Sequence, residues 1–254
     1  MTGAMTELPP AFLARPIAHR ALHGAGRPEN SRAAIRAAAE AGYGIEIDLQ
    51  PSADGVAMVF HDAALSRMTG AAGPVRARPA AELGRLTLTG SDEGIPTFAE
   101  VLDLVAGRVP LLVELKDQTG AMGPGDGALE EAAARAAQGY AGPLAFMSFN
   151  PHAVADIARA APDVPRGRVT CAFLPENWPG LAPDLCAALA RIDGLEETGC
   201  AFISHAHAEL DLPRVAEVKA AGLPVATWTI RSEREARAAL RIADQITFEG
   251  YLPS

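Results

Sequence analysis

The feature that most constrains this chain is a repeated alternation. Short apolar segments of strand length recur along its 254 residues, and many are followed by an alanine-rich run with helical spacing. Strands joined through helices pair in parallel, because each crossover returns the chain to the same end of the sheet. Eight segments qualify, at 16–19, 44–50, 110–116, 144–149, 168–173, 201–205, 224–230 and 244–248. Helical runs are expected at 31–41, 98–106, 129–137, 153–160, 183–192, 212–221 and 233–242. Eight strands are what a (β/α)8 TIM barrel needs, and such a barrel fills ~250 residues as one domain. The chain is therefore expected to be α/β, with a single domain over 1–254.

A ninth apolar run, "VAMVFHD" at 56–62, follows the second strand through "PSADG". That connection is too short for a parallel crossover, and Asp-Gly favours a hairpin, so this run reads as a returning antiparallel arm. With Ala53 and Asp54 centring the turn, His61 falls opposite Glu46. The segment 63–97 is rich in turn residues and reads as an excursion that closes over the barrel mouth or makes a subunit contact. Ser31 or Asn30 is placed to cap the first long helix, and Gly107 and Gly222 sit where helices end.

Composition excludes several classes. With 49% hydrophobic and 21% charged residues the chain is not disordered, and no apolar run reaches the ~20 residues of a membrane span. The first residues, "MTGAMTELPPAFLARP", lack a basic region followed by an apolar one, so a cytoplasmic protein is expected. Cys171, Cys186 and Cys200 have neither metal-type nor redox-type spacing and read as buried reduced thiols. A net charge of −9 without a basic patch argues against nucleic acid. An anionic small-molecule substrate then needs local positive charge, which a bound divalent cation supplies. The oligomeric state is left open, a homo-oligomer included.

Barrel enzymes place their chemistry at the C-terminal ends of the strands. The first strand carries His19 and Arg20 there, and the second carries Glu46 and Asp48 on one face. The hairpin arm carries His61 and Asp62, and "VELK" carries Glu114 and Lys116, again on one face. Three inward carboxylates repel one another in a low-dielectric interior unless a cation sits among them. An all-oxygen donor set favours Mg2+ or Ca2+, with Mn2+ also fitting, over zinc. The plain alternative is a barrel core in which Glu46 and Glu114 pair with Arg20 and Lys116. Two histidines, two cations and three carboxylates at one strand-end face match phosphodiester cleavage: a metal for the phosphoryl oxygens, cations for the developing charge, and a general acid/base pair. No G-x-S-x-G, P-loop or Rossmann glycine pattern competes.

The blocks "IAHRALHGAGRPENS", "GIEIDLQPSADGVAMVFHD", "IPTFAEVLDL", "PLLVELK", "MSFNP" and "PVATWTI" resemble, in this order, the motifs of the glycerophosphodiester phosphodiesterase family. The resemblance implies a TIM barrel of the PLC-like phosphodiesterase type and cleavage of glycerophosphodiesters to glycerol 3-phosphate and an alcohol. It implies that His19 and His61 are catalytic and that Glu46, Asp48 and Glu114 are metal ligands. Arg20 and Lys116 then neutralise the phosphate, Glu29 belongs to a "PEN" element, and Trp228 lies near the substrate's entry.

This chain also departs from the family's pattern. Ala21 stands where the family usually has glycine after His-Arg, and the loop to Pro28 is a residue longer than common. The last strand reads "ITFEG" in place of Thr-Asp, and little chain follows it, so the closing helix is expected to be missing or replaced by the N-terminal segment. Of the remaining histidines, His23, His152, His205 and His207, His205 ends a strand and could approach the substrate but is expected at the surface or behind the site. The glycines of "DQTGAMGPGDG" point to a mobile loop on the active face. Two rivals remain. One is the same chemistry on a lipid, a lysophospholipase D or sphingomyelinase D-like activity, which a long apolar loop at the mouth would favour and for which none is evident in the sequence. The other is a barrel that binds phosphate and metal without turnover.

Overall fold

The computed structural model describes residues 6–253. The first five residues of the stretch read for a leader, and Ser254, lie outside them. Nine strands run in chain order: β1 (Ile17–Ala18), β2 (Gly44–Pro51), β3 (Ala57–Val59), β4 (Leu111–Leu115), β5 (Leu144–Ser148), β6 (Arg166–Thr170), β7 (Phe202–Ala206), β8 (Val225–Ile230) and β9 (Gln245–Phe248). Eight are parallel neighbours in the order β1-β2-β4-β5-β6-β7-β8-β9, and β9 pairs back onto β1 with Ile17 opposite Thr247, which closes the barrel. All eight expected strands are present.

Helices α1 (Ala11–Ala14), α2 (Arg32–Ala41), α3 (Ser66–Thr69), α4 (Ala80–Leu83), α5 (Phe98–Val105), α6 (Ala128–Ala137), α7 (Pro151–Ala160), α8 (Pro183–Ala190), α9 (Pro213–Ala220) and α10 (Glu233–Ala239) follow the strands or extend from the hairpin. The outward residues Ile45, Ile47 and Leu49 of β2, and Leu111, Val113 and Leu115 of β4, pack with Ile35 and Val101 from the helices. Each such buried side chain contributes ~1.5–3 kcal/mol. Inside, Phe12, Ile17, Leu112, Met147, Val169 and Phe202 form an apolar floor. Gly167 makes room for it, since a Cβ there would lie 2.5 Å from the Phe202 ring.

The hairpin is present, with one correction. Its register pairs Leu49 with Val59 and Pro51 with Ala57, one residue away from the expected pairing, and the ladder ends at Val59. The turn holds three residues, Ala53, Asp54 and Gly55, with Gly55 at φ 74°. Either favoured two-residue turn needs positive φ at its first centre, which Ala53 disfavours, whereas a three-residue loop needs it only where glycine stands. Because β1 is short, the same edge of β2 is completed by other chain: Ala21 N donates to Glu46 O and Phe60 N to Asp48 O. The excursion has its own small core of Met58, Phe60, Leu65, Val75, Leu83, Leu88 and Ile95.

The barrel's lower end separates the two alternatives for the closing helix. Among the described residues no helix follows β9, and α1 does not take that outer place. Phe12 instead enters the barrel floor, and Gln245 Nε2 donates to the carbonyls of Phe12 and Arg15. The tail after β9 packs Tyr251 on Phe248, and Tyr43 Oη donates to Pro253 O at 2.9 Å. Among the described residues, no helix is long and apolar enough to cross a membrane.

His205 is neither at the surface nor lining the site. It points outward from β7 into the wall, is fully buried, and has Nδ1 2.8 Å from Thr170 Oγ1 and no partner on Nε2. Burial pushes its pKa down to about 4 from an ordinary 6.5. The folded state therefore holds it neutral, and its share of stability is present above pH 6.5 and lost as pH falls toward 4. By pH 5 the loss from this group is ~2 kcal/mol. Urea midpoints at pH 7.5 and 5 should differ less in His205→Gln than in the wild type; equal pH slopes would refute this assignment.

Candidate active site

The first strand ends in a tight turn. Arg20 and Ala21 both lie in the left-handed region, at φ 51° and 65°, a conformation costing ~1–2 kcal/mol for a residue with a Cβ. The turn brings Arg20 N to Glu46 Oε2 at 2.8 Å and Ala21 N to Glu46 O at 2.9 Å. Asn30, at φ 58°, closes the loop by donating from Nδ2 to Asp48 Oδ2 at 2.8 Å. Ser31 is the residue that caps α2.

Glu46, Asp48 and Glu114 converge, each offering an oxygen within 4.8 Å of the others. Lys116 Nζ lies 2.7 Å from Asp48 Oδ1 and 2.7 Å from Glu114 Oε1. Burial alone would raise Asp48, but Lys116, then His61 and Arg20, hold it far below the usual carboxylate range. Glu46 goes the other way: burial, then the charges of Asp48 and Glu114, push it well above that range. Its Oε1 is buried and has no hydrogen-bond partner. Lys116 thus serves two of the three carboxylates and leaves Glu46 unmatched. An orphaned oxygen in an all-carboxylate donor set fits a hard divalent cation.

Each of the two histidines is held by a carboxylate. His19 Nδ1 lies 2.6 Å from Glu249 Oε2, and Arg231 Nε donates to Glu249 Oε1 at 2.9 Å. The bond to His19, with His23 and Arg231 nearby, holds Glu249 far below the usual range. An ionised Glu249 accepts a hydrogen bond from the Nδ1–H of His19 and so leaves Nε2 as its free nitrogen. His61 Nδ1 lies 2.7 Å from Asp62 Oδ1, and Arg67 grips Asp62 at 2.5 and 2.9 Å. Arg67 also reaches Glu29 at 2.6 Å, and Arg20 Nη1 donates to the same Glu29 at 3.0 Å. Burial lowers the His61 pKa, and the opposing field of Asp48 does not restore it.

One cavity of about 210 Å3 collects most of these groups: His19, Arg20, Glu46, His61, Glu114 and Lys116 on one side, with Arg231 at the rim. Its other wall is Met147, Phe149, Val169 and Trp228, with Ser204, Thr229 and Thr247. His61 therefore shares the cavity with Glu46 without the direct pairing expected. Glu29 does not line the cavity; it ties Arg20 to Arg67. Asp48 lies behind Lys116 and Asn30. Trp228 lines the wall, its indole N–H donating to Ser204 O at 3.0 Å. The segment 171–182 backs the apolar wall: Phe173 and Trp178 pack on Phe149, with Leu174 exposed. The loop 117–127 is tied down, since Asn150 Nδ2 donates to Asp117 Oδ1 and Gly123 O, both at 2.8 Å, and Met122 is buried.

The profile of the Glycerophosphoryl diester phosphodiesterase family matches residues 19–246. The chain belongs to this family. As a member of the glycerophosphoryl diester phosphodiesterase family it is a phosphodiesterase enzyme, and its closed barrel agrees with the family's solved structures. It is 32% identical over 172 residues to the glycerophosphodiester phosphodiesterase of Caldanaerobacter subterraneus subsp. tengcongensis, covering 64% of this chain and 69% of that protein. It is 38% identical over 110 residues to glycerophosphodiester phosphodiesterase 1 of Bos taurus, covering 39% and 32% of the two. A phosphodiesterase from Oleispira antarctica, solved in complex with the product sn-glycerol-3-phosphate, superposes with a TM-score of 0.78 at 29% identity over 94% of each chain. The glycerophosphodiester phosphodiesterase of Thermotoga maritima shares the fold, with a TM-score of 0.70 at 22% identity, covering 92% of this chain and 94% of that one.

Sequence reasoning missed Glu249, Arg67, Asn30 and Arg231. The first had a usable signal, a carboxylate at the C-terminal end of the last barrel strand, although it lies 230 residues from His19.

Proposed function

We propose that the protein is a single-domain, metal-dependent hydrolase that converts glycerophosphodiesters to glycerol 3-phosphate and an alcohol. The observation carrying this reading is the meeting, in one cavity, of the unpartnered Glu46 oxygen with two carboxylate-oriented imidazoles. Glu46, Asp48 and Glu114 would hold a divalent cation, Mg2+ or Ca2+, whose chemistry when bound is to polarise a phosphoryl oxygen. Arg20 and Lys116 carry positive charge to the phosphate. His19, with Nδ1 engaged by Glu249, accepts at Nε2 the proton of the glycerol 2-hydroxyl or of a water. His61, oriented by Asp62, donates a proton to the oxygen of the departing alcohol. Glu29 and Arg67 act by holding Arg20 and Asp62. The three cysteines are free and buried, in keeping with the cytoplasmic reading.

The apolar segment 171–182 favours one second reading, a lysophospholipid as substrate. Both are tested by incubating the enzyme with glycerophosphocholine, glycerophosphoethanolamine and a lysophospholipid and identifying the phosphate-bearing product. The expected result is glycerol 3-phosphate from the first two and little turnover of the third. Phosphocholine as product, or preference for the acylated substrate, would overturn the first reading, and no turnover at all would leave a binding barrel.

A further inference from the structure

Three buried hydroxyls on the barrel strands have an internal partner. Ser148 Oγ donates to Leu115 O at 2.6 Å, Thr227 Oγ1 donates to His205 O at 2.7 Å, and Thr170 Oγ1 meets His205 Nδ1. Among the described residues, two barrel-strand hydroxyls are buried with no partner, Ser204 Oγ and Thr247 Oγ1. Their side chains are 1% and 2% exposed, and both residues line the catalytic cavity. A buried hydroxyl left unpaired costs ~1–3 kcal/mol, so an orphan pair facing a cavity marks a place where a ligand or ordered water completes the bonding.

Their position narrows the ligand. Ser204 stands two residues beyond Phe202 of the apolar floor, on the strand across the barrel from Glu46. Thr247 lies on the strand beside His19. Ser204 is flanked by Val169, its partner on the next strand, and by Trp228, whose indole N–H donates to Ser204 O, whereas Lys116 sits between Asp48 and Glu114. The cations of the lining are already paired, Arg231 with Glu249, Arg20 with Glu29 and Lys116 with Asp48 and Glu114, so the hydroxyls suit a neutral alcohol, able both to donate and to accept, better than an anion.

We infer that Ser204 and Thr247 form a subsite for the free terminal hydroxyl of the substrate's glycerol, on the reading given under Proposed function. The subsite makes the enzyme selective for an unsubstituted triol ester. It also opposes acylated glycerol, because an acyl chain at that oxygen removes the donor and brings bulk against the floor.

The test compares sn-glycero-3-phosphocholine with its analogue lacking only the terminal hydroxyl, a 1,2-propanediol phosphocholine diester that keeps the 2-hydroxyl. The wild type should favour the glycerol ester by ~10-fold or more in kcat/KM, because the analogue leaves the site's hydroxyls unpaired. In Ser204→Ala/Thr247→Val that ratio should fall toward one, while Thr247→Ser alone should preserve it and so guard against a folding defect. Product inhibition by sn-glycerol 3-phosphate against 1,2-propanediol phosphate should show the same collapse without relying on turnover. Equal rates on both diesters in the wild type, or a ratio unchanged in the double variant, would overturn the subsite and leave the hydroxyls to ordered water. Turnover of neither diester would overturn the proposed function itself.

Discussion

Replacing His61 by alanine is expected to lower kcat by ~10²- to 10⁴-fold with a modest change in KM, the signature of a lost general acid or base. The reason lies in how the imidazole is held. Asp62 fixes Nδ1 at 2.7 Å, Arg67 fixes Asp62, and Glu29 joins Arg67 to Arg20, so the ring reaches the cavity with one nitrogen committed and one free. His19→Ala should behave similarly, because Glu249 holds its Nδ1 in the same manner. The double variant should lose far less than the product of the single losses, since both rings serve one proton-transfer path. Steady-state kinetics on glycerophosphocholine decides the matter. Near-normal kcat in either single variant would return that histidine to a structural role.

Much of the barrel could be read in advance because its elements are locally encoded. Each strand is an apolar run bounded by turn residues, and helices such as α2 and α5 carry their own caps, Ser31 and Thr97. Glu46 and Asp48 could be placed on one face because alternation along a strand settles that without tertiary information. The hairpin register was not fixed so firmly. Asp-Gly announced a turn, but loop length depended on whether Ala53 would accept positive φ, and the structure assigns that conformation to Gly55.

What escaped the sequence are pairings made by closure. Glu249 reaches His19 only because β9 lies beside β1, and Arg67 reaches Glu29 only because the excursion folds onto its own small core. No periodicity reports such contacts. The lower end shows the same limit: Phe12 reads as an ordinary apolar residue in a short helix, and only the closed barrel reveals the gap among Leu112, Val169 and Phe202 that its ring enters.

Exhaustive chelation is expected to abolish turnover, with Mg2+, Mn2+ or Ca2+ restoring it, and the same site should reveal itself in stability. Without a cation, Glu46 is the carboxylate left unmatched, its pKa raised above the ordinary 4.5 by burial and by Asp48 and Glu114. A carboxyl whose folded pKa is raised favours the folded state below pH 4.5, and that contribution is lost as pH rises toward the folded value. At neutral pH the chelated protein therefore carries a penalty that Glu46→Gln removes, and the variant should be more stable by ~1–4 kcal/mol, the size of gain seen when a buried ion pair or triad is replaced by uncharged side chains. The gain should vanish near pH 4, where the wild-type carboxyl is itself protonated. Adding the cation should reverse the order, because the wild type then gains binding energy that the amide largely forgoes. Thermal melts of both proteins with chelator and with Mg2+, at pH 4 and pH 7.5, separate these cases. Full activity after chelation with metal content checked, or a chelated Glu46→Gln less stable than the wild type at pH 7.5, would remove the cation from this site and leave Lys116 and Arg20 as its neutralising charges.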